Sequence, residues 1–168
     1  MKPYKKLFRF LIAAVFLIFL AAFQIAFLNP YFSGLNFFVI LAIYLALTKN
    51  NAKAMVFSWF GGLLTSTSSF AGFGTNGLIL LVFAAILILL RSTVFLAGKT
   101  ANILMAAVSG IVIYHFLNWI IVNILAFFGA SASGNIAFYF AGPGIFVELI
   151  AAIMILPLML KIKKLKNG

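Results

Sequence analysis

One carboxylate and one imidazole, Glu148 and His115, are the only side chains of their kinds in the chain. Both stand inside apolar runs, "PGIFVELIAAIMIL" and "YHFLNWIIVNIL". An ionised acid at mid-bilayer costs a few kcal/mol, so such a group is paired, neutralised or turned to a polar cavity. Packing the two runs together would bring His115 to the depth of Glu148. Asn118 follows His115 by three residues, which puts both on one helical face. His115, Asn118 and Glu148 are therefore a candidate buried polar cluster. It has two readings: a proton or ligand site, or hydrogen bonds between helices that fix packing at modest energy. The second is the commoner role for such groups.

The same inventory excludes most catalysis. Acid/base chemistry lacks a second carboxylate, and His115 and Glu148 alone make no metal-ligand cluster. The sequence has no G-x-S-x-G and no phosphate-binding Gly loop followed by Lys-Ser or Lys-Thr. With no Cys, disulfides, thiolate metal sites and thiol nucleophiles are out. A Ser and His dyad such as Ser66 with His115 is left as a minor alternative. The expectation is a protein that is not an enzyme, with no catalytic, cofactor-binding or metal-ligating residues.

The elements that must position these residues follow from composition. The 168 residues are 66% hydrophobic and 8% charged, with a mean hydropathy of +1.26. A water-soluble domain of this size needs far more polar surface. The expectation is an all-α integral membrane protein forming a single transmembrane domain over 1–168. Crossing about 30 Å of hydrocarbon takes roughly 20 helical residues, and apolar runs place helices at about 7–28, 32–48, 54–69, 76–97, 100–128 and 139–160. The first run has 22 residues, longer than the roughly 7 to 15 of a signal-peptide core, so it reads as a retained helix. Asn102, Ser109 and Asn123 on the fifth run suggest a helix surrounded by protein.

Charge placement tests the count. Twelve Lys or Arg face a single acid, a net +11. Lys2, Lys5, Lys6 and Arg9 precede the first run, Lys49 and Lys53 follow the second, Arg91 and Lys99 end the fourth, and Lys161, Lys163, Lys164 and Lys166 follow the sixth. The other three connections carry no charge. Every basic residue then lies on one side, as the cytoplasmic excess of Lys and Arg requires. That predicts a six-helix bundle with both termini cytoplasmic. It also leaves the excess positive charge without need of nucleic acid as a partner. Arg91, inside an apolar run, is expected to snorkel to the inner interface. Gly142-Pro143-Gly144 is a candidate start for the sixth helix, with Pro143 in its first turn. Pro157 would then fall in the last turn before the basic tail, whose main role is a topology signal.

The stretch "WFGGLLTSTSSFAGFGTNGLILL" breaks the apolar pattern with Gly, Ser, Thr and Asn. Small residues permit close helix approach, and Gly61, Gly62, Ser66, Gly72, Gly74 and Gly77 are candidates for a partner interface. Read in order, "AFQIAFLNP", "NFFVILAIYLAL" and "FSWFGGLLTSTSSFAGFGTNGL" between basic ends resemble the rod-shape-determining membrane protein MreD family. Gly62, Ser66 and Gly74 match its spacing of a Gly, an Asp four residues on and a second Gly eight further. Ser66 stands where the family commonly has Asp. Gln24 and Pro157 are also family-like.

That resemblance implies a six-span fold similar to the S components of vitamin transporters. It also implies a non-enzymatic scaffold of the cell-elongation machinery in the bacterial cytoplasmic membrane. Its partners would be a bitopic MreC-like protein and, through it, an MreB-like cytoskeleton directing peptidoglycan synthesis and rod shape, with membrane lipid around it. The alternative is an S component itself, docking through small residues such as Ala22 and Ala26. It would bind a small molecule where Asn76, His115, Asn118 and Glu148 converge on an outward-open pocket.

Overall fold

The computed structural model describes residues 3–28, 35–48, 50–66, 74–93, 100–128 and 143–167. Among these it is all-helical: α1 (Pro3–Phe23, continued by a π-helical turn, Gln24–Leu28), α2 (Phe37–Leu47), α3 (Asn51–Ser66), α4 (Thr75–Thr93), α5 (Thr100–Phe127) and α6 (Pro143–Asn167). Two of them contain stretches long and apolar enough to cross a membrane, Asn102–Phe127 in α5 and Gly144–Lys161 in α6.

The short helix α2 is the centre. It packs against α3, α4, α5 and α6, and Phe38, Val39, Ile40, Ala42, Ile43 and Ala46 are all buried. A helix apolar on every side is the kind that others surround. At about 1.5 Å per residue its eleven residues span roughly 16 Å, well short of a bilayer. The surrounding helices each present one stripe to the core. On α4 it is Ile79, Leu80, Phe83 and Leu87; on α5 it is Ala106, Ala107, Ile111 and Tyr114; on α6 it is Ala152 and Leu156. The spacings of three and four residues put each set on one face.

The opposite faces are apolar as well. Large hydrophobic side chains stand exposed on α1 (Phe8, Val15, Phe16, Phe19), α3 (Trp59, Phe60), α4 (Leu78, Leu89), α5 (Met105, Phe116, Ile124) and α6 (Phe146, Met154, Leu158). On α1 the buried set narrows to Leu17, Ala21 and Gln24.

Several sequence expectations shift. The fifth helix, expected at the centre, keeps one side exposed. Two of its polar residues bond within the helix: Ser109 donates to Met105 O (2.6 Å) and Asn123 to Trp119 O (2.8 Å). The second helix starts at Phe37 rather than 32, because Asn36 caps it: its Oδ1 accepts from the Phe38 N–H at 3.0 Å. The third starts at Asn51, with Asn50 C=O taking the Ala54 N–H. It is described to Ser66, where Thr65 and Ser66 hydroxyls bond carbonyls of the preceding turn; the expected end at 69 lies outside the described residues. The sixth is described from Pro143 through Pro157 to Asn167, and the expected start at 139 lies outside the described residues. Proline therefore removes one backbone bond there without ending the helix.

Arg91 does more than reach outward. Its Nη1 donates to Ala46 O (2.9 Å) and Asn51 Oδ1 (3.2 Å). A cation thus sits on the carbonyl end of α2, where the helix dipole favours it, and ties that end to the start of α3.

Candidate functional site

At the other end of α2, polar groups from four parts of the chain gather. Gln24, buried in the π-helical turn, accepts the Phe37 N–H at 3.1 Å. Asn36 accepts the Phe38 N–H and donates its Nδ2 to the Tyr114 hydroxyl at 3.0 Å. Two of the first N–H groups of α2, which no intrahelical carbonyl can take, are thereby satisfied by side chains. Tyr114 lies edge-on to Phe83 and to His115, with ring centroids 5.6 Å and 5.3 Å apart.

His115 and Glu148 meet beside this cap. Nε2 of His115 is 2.8 Å from Oε2 of Glu148. The pair is enclosed: Glu148 is 0% and His115 8% exposed. Local sequence explains the burial. Ala106, Ala107, Gly110 and Ile111 form a narrow stripe down α5 against α2, and a Cβ at Gly110 would press on Ile43. His115 lies four residues beyond Ile111 on that stripe. On α6, Glu148 opens the series continued by Ala152 and Leu156, each four residues further. The backbone N–H of Asn36 faces the same carboxyl without closing a hydrogen bond to Oε1, which has no partner, as is also true of His115 Nδ1.

Of the expected cluster, then, His115 and Glu148 are in contact. Asn118 is half-buried on the next turn of α5, but the groups around the pair come from α2 and from Tyr114 instead. Asn36 and Tyr114 were not anticipated. The N-cap signal was available in an Asn standing directly before an apolar run; the Tyr114 contact, 78 residues away, has no local signature.

No family model, curated protein or solved structure matches this chain.

The Gly-rich stretch has a role inside the chain. A Cβ at Gly62 would run into the backbone of Asn76 and Gly77, and one at Gly61 into the ring of Phe38. Gly77 packs on Leu63. Ser66 donates to Leu63 O at 2.7 Å and accepts the Gly74 N–H at 3.2 Å. Gly74 has φ +93°, a left-handed conformation suited to glycine. Gly61, Gly62, Ser66 and Gly77, expected on a partner interface, are buried instead in contacts within the chain. The reason is steric: α3 and α4 form the most extensive helix pair, and their approach uses up the space the small residues leave. Gly74 remains half-exposed, and Gly72 lies outside the described residues.

Proposed function

We propose that the chain is a non-enzymatic scaffold of the bacterial cell-elongation machinery, crossing the cytoplasmic membrane six times with both termini inside. It holds a single-span, MreC-like partner and through it an MreB-like filament, so that lateral peptidoglycan synthesis keeps the cell rod-shaped. The observation that carries this reading is the use made of the polar side chains. Gln24, Asn36, Ser66, Tyr114, His115 and Glu148 bond one another or the backbone within the bundle, while large apolar side chains face outward on five helices. A solute-binding component needs the reverse, polar groups converging on an open pocket.

The departure from the family-like pattern fits as well. At Ser66 a hydroxyl accepts the Gly74 N–H, a bond that an Asp carboxylate would also make, so the corner between α3 and α4 does not require the charge. Since the small residues are occupied inside, partner contact falls to the outward apolar faces of α1 and α3. Photo-crosslinkers placed at Phe19 and Trp59 in native cells test this. A single-span protein captured from either position supports the reading; adducts with lipid alone contradict it.

A further inference from the structure

The His115–Glu148 contact is more than the scaffold reading uses. Each partner has one heteroatom in the 2.8 Å contact and one, Nδ1 and Oε1, buried and unbonded. Glu148 is fully buried and His115 nearly so, so the pair must settle most of its charge internally. With a neutral imidazole and an ionised carboxyl it is net negative; with one added proton, net neutral; with two, net positive. A net charge in an apolar core is far costlier than a neutral hydrogen-bonded pair. We infer that His115 and Glu148 together form a buried one-proton site that latches α6 to α5 beside the head of α2.

The described surroundings offer no opposite charge to the pair. From α2 the pair is faced by the Asn36 backbone N–H. From α5 it is faced by Tyr114, whose hydroxyl is bonded to the Asn36 amide. Among the described residues no Lys or Arg reaches the carboxyl; Arg91 is held at the opposite end of α2 by Ala46 and Asn51. Among the described residues the shared proton is the one neutralising charge at the pair. Its loss leaves a negative charge between α5 and α6 that the core cannot solvate, so the α5–α6 contact loosens. Protonation and helix contact are thereby coupled, and the ligand is the proton itself.

The composition makes the test specific. ¹⁵N-histidine and ¹³C-carboxyl-glutamate labels each report one side chain, because the chain has one of each. In lipid nanodiscs, titrated over about pH 5 to 8 and beyond, the two signals should either change together in a single transition or show one shared proton throughout. In Glu148→Gln the ¹⁵N signals of His115 should differ from those of the wild type, because the imidazole has lost its proton-sharing partner. Independent transitions, or an ionised carboxyl beside a neutral imidazole at every pH, would overturn the site. So would unchanged His115 signals in a folded Glu148→Gln. Should that variant fail to fold, the wild-type titration alone decides.

Discussion

At Gly62 the missing side chain is the structural feature. A methyl group there meets the backbone of Asn76 and Gly77, which cannot rotate away as a side-chain tip can. Gly62→Ala should therefore force α3 and α4 apart and cost about 3 kcal/mol or more, at the upper end of overpacking effects. Gly74→Ala meets no neighbour within 4 Å, so only its left-handed backbone opposes it, at about 1–2 kcal/mol. Unfolding both variants in mixed detergent micelles should rank Gly62→Ala the more damaging. Ser66→Ala removes the acceptor of the Gly74 N–H and should cost about 1 kcal/mol in the same assay. An unchanged midpoint for Ser66→Ala would show that the hydroxyl does not hold the corner. These roles were only partly legible. The Gly, Ser and Gly spacing stood out in the sequence, but a small residue reads the same whether it faces a partner or its own chain.

At the scale of elements, α2 and α1 are opposites. α2 touches four helices and has no exposed side chain, Phe37, Leu41, Tyr44, Leu45 and Leu47 being half-buried and the rest buried, whereas α1 buries Leu17 and Ala21 and leaves Val15, Phe16, Ile18 and Phe19 exposed. Backbone opening follows such differences in packing. Hydrogen exchange in detergent should find the α2 amides from Val39 to Ala46 the slowest in the protein and those of mid-α1 among the fastest helical ones. Comparable exchange in the two would mean that α2 is not the core. The long α5 matched its expected range closely because an unbroken apolar run has few alternative boundaries. The start of α2 did not, because hydropathy continues upstream of Asn36 and cannot register the cap. Its central place was equally hidden: an eleven-residue helix looks like a poor span, and only packing reveals it as the hub.

For the whole molecule, composition decided the most. An apolar chain with one acid and its basic residues in four clusters leaves few architectures open, and the one buried acid had to find a partner. The meeting of His115 and Glu148 was foreseeable on that ground, since each is the only strong partner available to the other inside apolar surroundings. The framing by Asn36 and Tyr114 was not, since it depends on how α2 and α5 cross. The proposed scaffold role rests likewise on the whole bundle, an inward-bonded set of polar groups inside an outward apolar coat. Its most direct measurement is depletion of the protein in its native rod-shaped cell, followed by microscopy and restoration with the wild-type chain. The account predicts that depleted cells widen and become round and that restored cells are rods; unchanged shape accompanied by lost uptake of a small solute would contradict it.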